Sequence, residues 1–234
     1  MFAVIFDVYP KPERYDDYLA LAGMLRPDLE GIDGFLSVER FAARARPGWI
    51  LSLSFWRDEE ALVRWRTHGR HREAQERGRR EIFQDYRLRV GQVVADASPG
   101  QAEQRPDRGA AGDDGNAYPR RRRKSMVPPP AAVALLEVEP AEGAQSDLAA
   151  LTGVEVEGLD GFLGRDQFDS IYVQGKVLSR SSWRDETAAR AWQARVLEYV
   201  SGHVLAAGPI ARARLRVVAI KRDYGMFERA QAPH

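Results

Sequence analysis

The sequence of 234 residues has no cysteine. That single absence excludes disulfide bonds, thiolate nucleophiles and cysteine-ligated zinc or iron–sulfur centres. There is no excess of charge of either sign: 35 basic side chains stand against 34 acidic ones, a formal net charge of +1. No global field therefore draws the protein to nucleic acid or to a membrane surface. Long apolar runs are missing too; none approaches the roughly 18 residues of a membrane span. The opening MFAVIFDVYPKPERYDD is too short and too acidic for a secretory signal, which makes a cytoplasmic protein the expectation. What is present is 44% hydrophobic residues, enough for a core, in a length that fits one large or two modest domains.

The chain repeats itself. GIDGFL at Gly31 returns as GLDGFL at Gly158, WRDE at Trp56 returns at Trp183, and RLRV at Arg87 returns at Arg214, each pair 127 residues apart. Upstream, FAVIFDVYP and AVALLEVEP match at an offset of 130, so three residues are lost from the segment that follows. Two copies of one fold unit are thus written in tandem. Between them ADASPGQAEQRPDRGAAGDDGNAYPRRRRKSMVPPP is rich in Pro, Gly, Ala and charge and reads as a flexible tether. Its run from Arg120 to Lys124 is a solvated charge run or a nucleic-acid-type signal, the former being the simpler reading.

Within a unit the pattern runs strand (FAVIFDVY), helix (PERYDDYLALAGMLRPDLEG), strands (GFLSVERFA and WILSLSFW), helices (DEEALVRWRTH and RHREAQERGRREIFQDY, separated at Gly69), and a last strand (YRLRVGQVV). This is a split βαβ, ferredoxin-like order. Its sheet has helices on one face only, so the other face needs a partner sheet, and the second copy is at hand. The expected fold class is α+β, two ferredoxin-like units forming an intramolecular dimeric α+β barrel. The expected organisation is a first unit over 1–94, the tether over 95–130, a second unit over 131–220 and a tail over 221–234. Tyr224 and Phe227 of the tail are expected to pack on the barrel.

The order of elements, GFLSVERF, SLSFWRDEEALVRWR and the terminal RDYGMFERAQAPH resemble the antibiotic biosynthesis monooxygenase family of dimeric α+β barrels. The resemblance covers both copies and leaves out the tether. It implies a pseudo-dimer within one chain, with a further homodimer of the tandem left open. Cofactorless members resemble the third strand, with a tryptophan at the position of Trp56, an asparagine where this chain has Ser52, and a tyrosine where it has Leu62. The haem-degrading branch resembles the Trp56 to Trp65 spacing, but its haem-ligating histidine falls here on Gln75, or on Gly202 in the second copy. Haem is therefore not expected, nor is any other cofactor.

The candidate chemistry lies in the first copy. Side chains alternate along a strand, so Ser52, Ser54 and Trp56 share one face. Ser179, Ser181 and Trp183 repeat that face, whereas Leu53 and Phe55 of the opposite face become Arg180 and Ser182. Two hydroxyls and an indole suit a planar oxygenated ligand; alternatively the hydroxyls bond locally and the tryptophan fills the core. After a break near Gly69, His71, Gln75, Gly78 and Ile82 fall on one inward stripe. His71 is either the base that removes a proton from a phenol or activated C–H, or a histidine bonded to a carboxylate or carbonyl at a helix start. The matching position of the second copy is Glu198. His68 and His71 find no third ligand at a metal-binding spacing, so no metal is expected. The expected site thus takes His71 and Trp65 as catalytic residues, with Trp56, Ser52, Ser54, Gln75 and Phe83 binding substrate. The expected partners are a small aromatic substrate and O₂, with no nucleic acid and no membrane. Two functions follow: a cofactor-independent monooxygenase of a phenolic or quinol-type polycyclic metabolite, or a non-catalytic small-molecule-binding or stress-associated barrel.

Overall fold

The computed structural model describes residues 1–99, 129–141, 156–204 and 210–233. Most of the expected tether, including Arg120 to Lys124, lies outside the described residues. The first unit comprises β1 (Phe2–Pro10), α1 (Tyr15–Met24), α2 (Arg26–Glu30), β2 (Phe35–Ala43), β3 (Ile50–Trp56), α3 (Glu59–Thr67), α4 (Gly69–Arg77) and β4 (Phe83–Ala97). The second comprises β5 (Ala132–Pro140), β6 (Phe162–Ser170), β7 (Val177–Trp183), α5 (Glu186–Tyr199) and β8 (Ile210–Gly225). The eight antiparallel strands close into one barrel in the order β1-β3-β2-β6-β7-β5-β8-β4. Two ferredoxin-like sheets thus become an intramolecular dimeric α+β barrel. Among the described residues no helix is long and apolar enough to cross a membrane.

The repeated words of the sequence explain how each unit folds. Asp58 ends the turn after β3 and accepts a hydrogen bond from the Ala61 amide at 2.7 Å, capping α3; Asp185 does the same for Ala188 at 2.8 Å and α5. Arg57 grips Asp33 at 2.6 Å, and Arg184 grips Asp160 at 2.8 Å, so WRDE clasps the G-x-D-G turn ahead of β2 or β6. Gly34 and Gly161 close that turn at φ of 89° and 79°, where a Cβ would also strike Ala61 or Ala188. Two details differ from the sequence reading. The first helical segment divides at Leu25, because Pro27 has no N–H to give the Gly23 carbonyl one turn earlier and is accommodated instead in the first turn of α2. The break expected at Gly69 falls one residue earlier, where His68 is extended at φ −60°, ψ 129° and Gly69 opens α4.

The barrel interior is built by both units. Ala3, Ile5, Leu51, Leu53 and Phe55 of the first unit pack with Val133, Leu135, Phe168, Leu178 and Val218 of the second, all essentially without solvent contact. The units join at two seams: β2 and β6 pair from Phe41↔Ser170 to Ala43↔Phe168, whereas β4 and β8 pair from Arg87↔Gly225 to Ala97↔Leu215. Gly91 is needed at the longer seam, because a Cβ there would lie 2.4 Å from the Ala219 carbonyl oxygen. The strand β8 runs through Asp223 and Tyr224, and the following residues turn back on the barrel, where Arg229 donates to the Tyr86 hydroxyl at 2.7 Å. Tyr224 packs against Tyr86 and its neighbours, but Phe227, expected to pack, is 74% exposed; the chain after Gly225 holds on through polar contacts instead.

Charged side chains line both ends of the interior. At one end Arg180 donates to Asp7 at 2.6 Å and to Asp166 at 2.6 Å, Arg89 reaches Asp7 at 3.2 Å, and Arg87 holds Asp223 at 2.7 Å. At the other end Arg214 holds Asp96 at 2.7 Å, Arg216 bridges Asp96 and Glu137, and Lys176 meets Glu39 and Glu137. Asp7 and Arg180 lie in different units and are both buried. Removing one member of such a pair leaves a buried uncompensated charge, a loss of about 3–5 kcal/mol in general. Arg180→Met is therefore expected to lower the denaturant midpoint, and Asp7→Leu with Arg180→Met to recover only part of the loss, because Arg89 then lacks Asp7 and Asp166 lacks Arg180. An equal loss in the single and double variants would show that the pair is not what the interior needs.

Candidate functional site

The face of β3 carrying Ser52, Ser54 and Trp56 looks outward to its own helices; Leu51, Leu53 and Phe55 look into the barrel. The cross-strand register places Arg40, Ser52, Phe6, Leu88 and Tyr224 in one row beneath the helices, and Val38, Ser54, Val4 and Val90 in the next. Above them stand two aromatic clusters. Trp56, Leu62 and Trp65 gather at one end with Phe35. Phe83 meets Phe6, Tyr18 and Tyr86 edge-on or tilted at the other, with ring centres 5.9–6.0 Å away. Helix α4 spans the two. His71 lies at its start against Trp65, and Gly78 follows its end against Phe83, where a Cβ would lie 2.5 Å from the ring. Gln75 falls between them on the same helical face.

The two copies differ in how well this layer is filled. Val4, Phe6, Ser52, Ser54 and Leu88 all keep solvent-accessible surface beneath the helices. Their counterparts Ala134, Leu136, Ser179, Ser181 and Leu215 are at most 3% exposed. The cause lies in the helix above. In the second copy α5 runs unbroken, Val196 stands at the position matching Gly69, and Trp192 packs on Trp183 with ring centres 5.8 Å apart. In the first copy the helix is interrupted at His68, and Trp65 stacks on His71 instead, at 4.2 Å and 17°. This layer is partly exposed in the first unit, whereas its counterpart among the described residues of the second is buried.

His71 is placed in detail. Its Nδ1 lies 2.9 Å from the Trp65 carbonyl oxygen, which can only accept, so Nδ1 carries the proton and Nε2 keeps a free lone pair. Burial pushes its pKa down to about 4, with His68 adding repulsion and the Trp65 carbonyl pulling the other way. The imidazole is thus neutral at physiological pH. His68 stacks on the other side of the group, 5.7 Å from the Trp65 ring, with its buried Nδ1 unpartnered. Glu198, matching His71, is exposed on α5.

The expected site residues therefore do not all meet in one way. His71, Trp65 and Gln75 line the helical roof, and Ser52, Ser54 and Phe83 sit at or beside the floor. Trp56 is only 1% exposed and its indole N–H donates to Ser54 Oγ at 3.0 Å; Trp183 repeats this with Ser181 at 2.8 Å. The shared Ser-x-Ser-x-Trp face is thus locally satisfied in both copies, and Trp56 forms the wall behind the cleft. Sequence reasoning missed Arg40 and Tyr18. The signal was available, since Arg40 becomes Gln167 in the second copy.

Two fused ferredoxin-like sheets closed into one barrel, with a partly exposed layer under the helices of the first unit, define a dimeric α+β barrel within one chain. The family model described as antibiotic biosynthesis monooxygenase matches residues 1–77. A relative from Pyricularia oryzae, named jasmonate monooxygenase ABM, is 36% identical over 234 residues, covering 100% of this chain and 97% of that protein. The chain belongs to the antibiotic biosynthesis monooxygenase family. An uncharacterized Bacillus subtilis protein, YqjZ, is 37% identical over 60 residues, 26% of this chain and 51% of that protein. A solved anthrone oxidase-like protein superposes at a TM-score of 0.37 with 15% identity, covering 100% of this chain and 96% of that one.

The depressed His71 pKa makes a pH prediction. Between pH 6.5 and about 4 the unfolded chain takes up the proton that the folded one refuses, so this contribution to stability is complete above 6.5 and is lost as pH falls toward 4. The loss is on the order of 3 kcal/mol for a shift of this size. Denaturant unfolding at pH 7 and pH 4.5 is expected to show a larger drop for the native sequence than for His71→Gln. Equal drops would mean that His71 is not held neutral.

Proposed function

We propose that this protein is a cofactor-independent monooxygenase and that its substrate, a phenolic or quinol-type polycyclic molecule, lies between the sheet and the helices of the first unit. The observation that carries this reading is the partly exposed layer of the first unit beside the buried one of the second, with a histidine at its roof in one proton state. The family and the full-length similarity to a monooxygenase of the same two-copy length support it. In the proposed reaction Nε2 of His71 removes a proton from the phenol or from a ring CH₂ it activates. The resulting carbanion supplies electrons to O₂. Over the whole reaction CH₂ becomes C=O, one oxygen atom enters the product, the other leaves as water, and the four electrons come from the substrate. No outside reductant is required, so the protein's part is a base, a dry layer and aromatic walls. A base whose own pKa is about 4 calls for a substrate made acidic by conjugation, which a hydroxylated polycycle provides.

A second reading, a barrel that binds without reacting, draws on Ser52 and Leu62, which replace the asparagine and tyrosine of cofactorless relatives. The two separate in one experiment: anaerobic loading with an anthrone or 1-naphthol, then oxygen, with quinone formation followed against the uncatalysed rate. His71→Ala is expected to lower turnover on the order of 10² to 10⁴-fold with little change in affinity, and Glu198→Ala to leave it unchanged. The acid limb of the rate profile is expected near pH 4, because the base works only while unprotonated. No quinone above background across both substrates would remove the enzymatic reading, and turnover that survives His71→Ala would remove His71 as the base.

A further inference from the structure

We infer that the first unit recognises an anionic group, a carboxylate, at the Arg40 end of the cleft, so that its ligand is an apolar ring system carrying an acid. The inference rests on the location of the proposed substrate and not on its oxidation. Arg40 points from β2 into the layer beneath the helices, on the same row as Ser52, Phe6 and Leu88. It is half-buried, its Nε is shielded from water, and that Nε has no hydrogen-bond partner. Among the described residues no carboxylate lies within ion-pairing distance of its guanidinium. Its polar company is phenolic, the hydroxyls of Tyr18 and Tyr172, and it sits 6.0 Å from the Tyr18 ring centre.

That situation contrasts with five other arginines in the barrel wall. Arg87, Arg89, Arg180, Arg214 and Arg216 each face an aspartate or glutamate. A desolvated guanidinium is costly unless paired, and a planar fork of donors is shaped for a carboxylate. The fold itself does not ask for the charge: the matching residue of the second copy is Gln167, whose side chain accepts from Arg44 at 3.4 Å. Along the row the chemistry grades from guanidinium to the Ser52 hydroxyl to Phe6 and Leu88. An amphipathic ligand fits with its acid on Arg40 and Ser52 and its rings over Phe6. The second unit completes this end. Ile171 donates its amide to the Arg40 carbonyl at 3.0 Å, and Tyr172 is 56% exposed, which puts the acid near the mouth.

The test is binding, measured in the absence of turnover. Benzoate, 1-hydroxy-2-naphthoate and anthracene-2-carboxylate are each titrated against their methyl esters, by calorimetry or by quenching of tryptophan fluorescence under nitrogen. The expected result is that at least one acid binds ten-fold or more tightly than its ester, that Arg40→Met abolishes the preference while leaving ester affinity within about two-fold, and that Arg40→Lys restores part of it. Absence of binding by all three acids, equal binding of acid and ester, or a preference that persists in Arg40→Met overturns the inference. A purely structural Arg40 would lower the melting temperature of Arg40→Met with no change in the acid-to-ester ratio of that variant, and this outcome also overturns it. Loss of oxygenation with the preference intact would sink the proposed reaction alone.

Discussion

The pairing of Asp7 with Arg180 inside the barrel constrains everything else in the molecule. Each unit exposes one face of its sheet and must cover it, but apolar burial is non-directional and would be met equally by a second copy of the same unit. Charge supplies the direction. Arg180 occupies the place that Leu53 holds in the first unit, so two first units would set Asp7 against leucine, and two second units would set Glu137 against arginine in a different company of charges. Only the mixed pair brings Arg180 between Asp7 and Asp166 while Lys176 meets Glu39 and Glu137. Buried ion pairs are poor sources of net stability, but a wrong partner leaves a charge without a mate, and that penalty selects the right one.

The duplication also separates scaffold from site. Features that occur twice, the WRDE clasp, the capping aspartates, the positive-φ glycines and the Ser–Trp bond, are all satisfied within their own unit and do the same work in both. Features that occur once are the ones that remain chemically unfinished: the helix break at His68, the neutral His71 with a free Nε2, and Arg40 without a carboxylate. The second unit has exchanged these for Val196, Glu198 and Gln167 and has closed its own layer. It remains in the site only as a wall, through Ile171 and Tyr172.

Much of this was legible in the sequence. Strand order, the fused pair and the parity of β3 follow from period-2 alternation and the 127-residue register, both of which survive folding because they are what folding uses. The stripe His71, Gln75, Gly78 was legible for the same reason. Less legible was which face of β3 looks outward, because Ser-x-Ser-x-Trp and Leu-x-Phe are both compatible with a sheet buried on two sides. The wrong expectation for Phe227 came from counting an aromatic as buried when polar contacts of Glu228, Arg229 and Gln231 hold the chain in place. Arg40 escaped notice although its exchange for Gln167 is visible in the repeat, because the want of a carboxylate beside it shows only in three dimensions.

The two seams have unequal length, three residue pairs between β2 and β6 against ten between β4 and β8. For two separate chains, closing the short seam would depend on how often the partners meet. In one chain the partner is always present at an effective concentration set by the connecting segment, in the millimolar range for short flexible connections. The barrel's integrity is then independent of how much protein a cell makes, and a scarce protein stays assembled.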